Sequence, residues 1–199
     1  MVKIGITGGV GSGKSLVLDY LREKCGASVY QADQIAHQVQ MPGNPCYQEV
    51  VKTFGKEILS ADETIDRQRL GAVVFQNPRK LEALNAIVHP AVNARIRELM
   101  KKEEEKGCSL FILEAALLTD KIYREMLDEI WYIHVEEEVR RSRLASSRGY
   151  SRKKVDAMMA SQPSEEVFKE SCDRVIENGG VFDETVRELD KAVSQALKL

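Results

Sequence analysis

The sequence has no cysteine pair at CxxC spacing, no apolar run of membrane-spanning length, no Pro-, Gly- or Ser-rich linker and no marked excess of either charge. Each absence closes off a class of protein. Cys25, Cys46, Cys108 and Cys172 stand far apart without metal-ligand spacing, so they read as reduced, small apolar residues rather than a disulfide framework or a zinc module. A single lysine and then a glycine-rich stretch occupy the place where a signal peptide would carry its apolar segment. With no spanning run either, the expectation is a cytoplasmic protein that engages no membrane. The 29 basic and 31 acidic residues give a formal charge of −2, which offers no global field to attract nucleic acid, and no nucleic-acid partner is expected. Lacking linkers, repeats and low-complexity segments, the 199 residues are expected to form one domain with helical insertions, long enough for a sizeable core.

What is present begins with the first fifteen residues, MVKIGITGGVGSGKS. Val2, Ile4 and Ile6 mark a short strand ending at Thr7, and the residues after it fit G-x-x-x-x-G-K-[ST] with Gly8, Gly13, Lys14 and Ser15 in register. This pattern predicts a phosphate-binding loop. Glycine lets the backbone turn sharply and bring its N–H groups against phosphate oxygens, Lys14 supplies a point charge for the β and γ phosphates, and the Ser15 hydroxyl suits Mg²⁺. Leu16-Val17-Leu18-Asp19-Tyr20-Leu21 continues as an amphipathic helix ending near Cys25-Gly26, its positive end aimed at the same anion. The loop by itself leaves the nucleotide, the acceptor and the reaction open.

Ala27–Tyr30 reads as a second strand, and Asp33 follows at what would be the carboxyl edge of a parallel sheet, where ligands collect. Asp33 either acts on such a ligand or caps the helix from Gln34 to Gln40. Pro45 fits the first turn of a helix reaching Phe54-Gly55. From Glu57 to Gly107 no convincing strand occurs. Asp66 caps a predicted helix through Phe75, Asn77-Pro78 opens another through Val88, and His89-Pro90 a third through Lys106, so a helical insertion is expected between the second and third strands. His89 reads on its own as a cap or packing residue. Cys108–Leu113 is a strand buried on both faces, and Glu114 at its end either supports Mg²⁺ through water in the Walker-B manner or caps a helix. Ile130–Val135 is the next strand, with His134 structural. Arg140, Arg141, Arg143, Arg148, Arg152, Lys153 and Lys154 lie on two helical stretches joined around Gly149-Tyr150-Ser151, either a solvated face or a hinged cationic lid. Arg174-Val175-Ile176 is a last short strand, and Asp183 is read as the cap of a closing helix with Val186, Leu189, Val193 and Leu197 on one face.

Taken together, these residues resemble the dephospho-CoA kinase family over nearly the whole chain. The matching stretches are TGGVGSGKS at Thr7 to Ser15, AD at Ala32-Asp33, TIDRQRLGAVVF at Thr64 to Phe75, LNAIVHP at Leu84 to Pro90, ALL at Ala116 to Leu118, SQ at Ser161-Gln162 and IENGG at Ile176 to Gly180. The resemblance implies an α/β, three-layer α/β/α phosphate-loop fold with a parallel sheet, a helical acceptor-binding insertion and an arginine-rich lid. It divides the single domain into a core of about 1–55, 107–135 and 172–199, an insertion of about 56–106 and a lid of about 136–165. The implied activity is transfer of the γ-phosphoryl group of ATP to the ribose 3′-hydroxyl of dephospho-CoA, the last step of coenzyme A synthesis, with Mg²⁺ as cofactor. Gly8, Gly9, Val10, Gly11, Ser12, Gly13, Lys14, Ser15 and Leu16 would cradle ATP, Ser15 would hold the metal, and Asn178 and Gly180 would lie near the adenine. Asp33 would orient the 3′-hydroxyl and take its proton, His89 and Arg69 would face the acceptor, and Arg140 and Arg148 would close the lid. The implied assembly is a monomer or weak homo-oligomer.

Four departures from the family pattern stand out: Gln31 in place of a first Asp, Leu16 in place of Thr, the run Glu114 to Asp120 with its acids exchanged in length, and Arg148 one place late in the lid pattern that begins at Arg143. Two other readings compete: a kinase for another small alcohol or nucleotide acceptor, and a switch that binds ATP without transfer.

Overall fold

The computed structural model describes residues 1–119 and 121–198; Asp120, one of the exchanged acids, lies outside them. The chain divides into two compact units, Met1–Tyr30 with the chain from Glu103 onward, and Gln31–Lys102.

The first unit is built on β1 (Val2–Thr7), which runs through the loop into α1 (Lys14–Lys24) and on to β2 (Ser28–Gln31). The second unit is helical: α2 (Ala32–Val39), α3 (Pro45–Phe54), a 3₁₀ turn at Lys56–Ile58, α4 (Arg67–Val74) and most of α5 (Pro78–Glu105). The chain then returns through β3 (Leu110–Glu114), α6 (Lys121–Met126), β4 (Glu129–His134), α7 (Glu137–Arg148), α8 (Arg152–Ala160), α9 (Glu165–Ser171), β5 (Arg174–Glu177) and α10 (Phe182–Ala196). The sheet is five-stranded and parallel in the order β2-β3-β1-β4-β5, flanked by helices. Such a sheet needs both faces covered, which is why β3 and β4 read as near-continuous apolar runs. Ile4, Ile6, Ile112, Trp131, Ile133 and Ile176 are fully buried in it, packed against Val17 and Leu21 of α1 and Leu189 and Val193 of α10. Register places Ile6 opposite both Glu114 and Trp131, so β1 is central and the loop emerges at mid-sheet.

Three local expectations need correction. Asp33 does not cap α2: Gln31 is the N-cap, with no side-chain capping bond, and Asp33 is the second helical residue. Asp183 likewise lies inside the first turn of α10, whose N-cap is Val181; its charge there favours the helix dipole without capping. The helices expected on either side of His89-Pro90 are one 28-residue helix, α5, with Pro90 inside it. Proline in a helix interior removes one backbone hydrogen bond and costs roughly 3 kcal/mol. Val88, Val92, Ile96 and Leu99 carry one buried stripe straight across that position, and the burial of the stripe offsets the cost. Asp66, by contrast, caps α4 as expected, accepting from the backbone N–H groups of Gln68 and Arg69.

Candidate active site

The phosphate loop is held from three sides by groups of its own unit. Gly13, the N-cap of α1, sits at φ 80° and ψ 20°, and no side chain caps the helix. Its first N–H groups therefore have no partner within the helix, which makes this end an anion site. A side chain at Gly13 would be strained at that φ, and its Cβ would fall 2.6 Å from Asn178 Nδ2. That amide donates to Ser12 O at 2.7 Å, and Asn178 Oδ1 accepts from the Thr185 hydroxyl at 3.0 Å. Asn178 N–H donates to His134 O at 2.9 Å, and Asn178 O accepts from Arg143 Nη2 at 2.8 Å. Bonded through backbone and side chain alike and only 4% exposed, Asn178 fastens the loop. Gly180 is exposed in the turn that follows.

Lys14 Nζ donates to Gly8 O at 2.7 Å and lies 3.8 Å from Glu114 Oε1. Among the described residues no helix begins between Glu114 and Lys121, so the capping role considered for Glu114 falls away and the carboxylate is left beside the loop lysine. Ser15 and Leu16 are exposed on the first turn of α1.

The lid helix α7 rests on the loop. A Cβ at Gly9 would collide with the Arg140 guanidinium, and one at Gly11 would lie 3.1 Å from Leu144 Cγ. Arg140, Arg143 and Leu144 share one helix face by their i, i+3 and i+4 spacing, while Arg141 faces away, paired with Glu137 and with Asp156 of α8. Arg148 is exposed at the last position of α7, near the Tyr150 phenol, whose pKa its guanidinium lowers. The structure thus brings Arg140 and Arg143 to the loop. Gln162, between α8 and α9, also reaches it: its Oε1 accepts from Val10 N–H at 2.9 Å. Ser12 Oγ and Arg140 Nε are buried with no hydrogen-bond partner. Leaving such atoms unpaired costs roughly 1–3 kcal/mol each, and an anion on the loop would relieve the arginine.

In the helical unit, Asp33 is exposed with no hydrogen bond or ion pair among the described residues, and shares a cavity of about 340 Å³ with Gln34, His37, Gln38 and Arg67. His37 and Arg67 continue into a second cavity of about 190 Å³ with Gln40, Met41, Thr64 and Ile65. Arg69 does not line either one; its guanidinium is spent on Leu59 O and on Asp66, 3.4 Å away. His89 is exposed on α5 and lines neither cavity. Sequence reasoning gave no role of their own to Arg67, His37 or Gln162 and named Arg143 only as part of the basic cluster. Arg67 did leave a signal: as the first residue of α4 it puts a cation at the positive end of a helix, against the dipole preference.

A central β1 leading through a glycine loop into a helix, with a lysine and arginines converging on that loop and a five-stranded parallel sheet in this order, defines a phosphate-loop kinase. The dephospho-CoA kinase family model matches residues 2–184, and the chain belongs to that family. A dephospho-CoA kinase from Carboxydothermus hydrogenoformans is 41% identical over 94% of this chain and 90% of its own. A Thermus thermophilus crystal structure, TT1252, superposes with a TM-score of 0.79 at 31% identity, covering 98% of this chain and 97% of its own. The dephospho-CoA kinase of Campylobacter jejuni, at 24% identity and a TM-score of 0.64 over 99% and 98% of the two chains, shares the fold. No helix among the described residues is long and apolar enough to cross a membrane.

Proposed function

We infer that this chain transfers the γ-phosphoryl group of ATP to the ribose 3′-hydroxyl of dephospho-CoA, giving coenzyme A and ADP. Membership of the dephospho-CoA kinase family carries the reading. The loop N–H groups and Lys14 hold the phosphates, and Arg140 lies where charge spreads over the transferred group. Because that transition state is loose, positioning and charge do most of the work. Asp33 orients the 3′-hydroxyl and accepts its proton as the new P–O bond forms and the bond to the β-phosphate oxygen breaks. Arg67 and His37 grip the acceptor beside Asp33; a guanidinium suits a diphosphate, which the acceptor carries on the 5′ carbon of the same ribose.

Mg²⁺ fits this site. Its preferred ligands are hard oxygens, few of them from protein, and the Ser15 hydroxyl and the Glu114 carboxylate beside Lys14 supply that donor type. When bound it would neutralise charge on the phosphates. We place the enzyme in the cytoplasm as one kinase domain, with the core, insertion and lid bounds given above, acting as a monomer or weak homo-oligomer. A coupled ADP-release assay with Mg-ATP, run with and without dephospho-CoA and with mass detection of the product, tests the reading. The expected result is acceptor-dependent ADP release and one phosphate added to the acceptor; nucleotide binding without such release overturns it.

A further inference from the structure

We propose that Gln162 is a second reader of the transferred phosphoryl group, distinguishing a nucleoside triphosphate from a diphosphate. The proposal rests on the nucleotide site described above and not on the identity of the acceptor.

The bond to Val10 fixes which way the amide points. Val10 N–H is a donor, so the Gln162 atom 2.9 Å away must be the carbonyl oxygen, and the NH₂ group is turned to the opposite side. A Cβ on Gly9 would meet both the Arg140 guanidinium and, at 3.4 Å, Gln162 Oε1, so the two side chains converge over the same stretch of loop. Gln162 Nε2 and the Arg140 guanidinium, whose Nη1 lies over Gly9, have no hydrogen-bond partner among the described residues, and Arg140 Nε is buried. Two donor groups without acceptors over a glycine loop call for one kind of ligand, an oxygen-rich anion resting above Gly9 and Val10. The β-phosphate is held by the N–H groups nearer the helix, so the group at this outer end of the loop is the γ-phosphoryl.

Gln162 is also held firmly enough to act this way. Its N–H donates to Met159 O at 3.0 Å, closing α8, and Pro163 restricts its backbone to extended conformations. Three residues on, Glu165 lies 3.2 Å from Nε2 of buried His134 at the end of β4, and Glu177 approaches the other ring nitrogen at 2.8 Å. The segment carrying Gln162 is therefore pinned to the sheet end next to Asn178. A neutral donor in this place recognises the γ-phosphoryl without adding charge that would hold ADP after transfer.

Two substitutions separate this role from a strut. Gln162→Glu keeps the oxygen that Val10 N–H needs but replaces the donor with a second acceptor facing phosphate; Gln162→Ala removes both. Affinities for ADP and for a non-hydrolysable ATP analogue would be measured by calorimetry, alongside thermal melts and kcat. The expected result is that Gln162→Glu melts near the wild type and binds ADP normally, yet loses about tenfold to hundredfold in affinity for the triphosphate analogue, more than Gln162→Ala loses. If Gln162→Glu keeps wild-type discrimination and only Gln162→Ala suffers, with a lowered melting temperature, Gln162 is a strut and the proposal falls. The affinity measurements need no acceptor, so their outcome stands even where the acceptor assay fails.

Discussion

The two compact units treat their polar side chains in opposite ways. Around the phosphate loop, Lys14 is bonded to Gly8 O, Asn178 is bonded through both ends of its amide, and Val10 N–H is taken by Gln162. In the helical unit, Asp33 and Arg67 share a cavity wall yet bond to nothing among the described residues, not even each other. The first unit has its geometry built before any nucleotide arrives, which transition-state stabilisation requires of fixed charges. The second leaves these two charges unspent, as the proposed acceptor role requires. Substitutions at Lys14 should therefore disturb chemistry and architecture together, and those at Asp33 should disturb kinetics alone.

The largest effect is expected at Lys14. Lys14→Ala removes the fixed charge at the transferred group and the bond to Gly8 O, so kcat should fall by roughly 10³ or more and the melting temperature should drop with it. A kcat within about tenfold of the wild type would break the comparison on its stronger side. Asp33→Asn is the matched test of the other unit. It should lower kcat by about 10²–10³ while the melting temperature and ATP affinity stay put, because the carboxylate supports no other group. Should kcat survive, Asp33 is an idle surface acid; should the protein melt early instead, its charge was not unspent after all.

Within the lid the same contrast is drawn along one helix. Arg140 lies on Gly9 and Arg148 lies exposed beside Tyr150, so Arg140→Ala is expected to cost about 10² in kcat and Arg148→Ala less than about threefold. The reverse order would mean that α7 rotates on the loop when nucleotide binds and carries Arg148 inward, and a one-residue step on a helix does turn a side chain by about 100°.

The contrast also explains what can be read from the chain. The loop, the strands and the basic hairpin are legible because each is a local pattern: a fixed glycine spacing, an apolar run, a cluster of arginines around Gly149. Gln162 and Asn178 reach the loop from 152 and 166 residues away, and no local pattern announces a contact of that range. The resemblance puts Asn178 near the adenine, and only the folded chain shows that its amide fastens Ser12. It names Arg69 and not Arg67, and nothing local to the sequence shows that Arg69 is bonded to Leu59 O and Asp66 while Arg67 lines the cavity with Asp33. Pro90 reads as a boundary because its local cost is plain, whereas the stripe of Val88, Val92, Ile96 and Leu99 that overrides it shows only across the whole helix.

The smallest effect bears on how far the first unit spends its charges on itself. Glu103, 5% exposed, is held down to a pKa of about 2, first by Lys106 at 2.6 Å and then by the hydroxyls of Ser28 at 2.7 Å and Tyr30 at 2.9 Å, with burial opposing them. Those hydroxyls belong to β2, the strand that leads the chain into Asp33, so a buried carboxylate fastens the strand while an exposed one two residues beyond it is bonded to no side chain among the described residues. A carboxyl whose folded pKa lies below its unfolded value of 4.5 stabilises the fold fully above that value and loses the contribution as pH falls toward 2. Glu103→Gln should therefore cost on the order of 2 kcal/mol in urea unfolding at pH 7, and the gap to the wild type should shrink as pH falls below about 4.5. At pH 7 the variant's kcat should stay within about twofold, because the partners of Glu103 are Lys106 and β2 rather than the loop. A gap that persists unchanged at about pH 3 would mean that Glu103 stabilises β2 by packing rather than by charge.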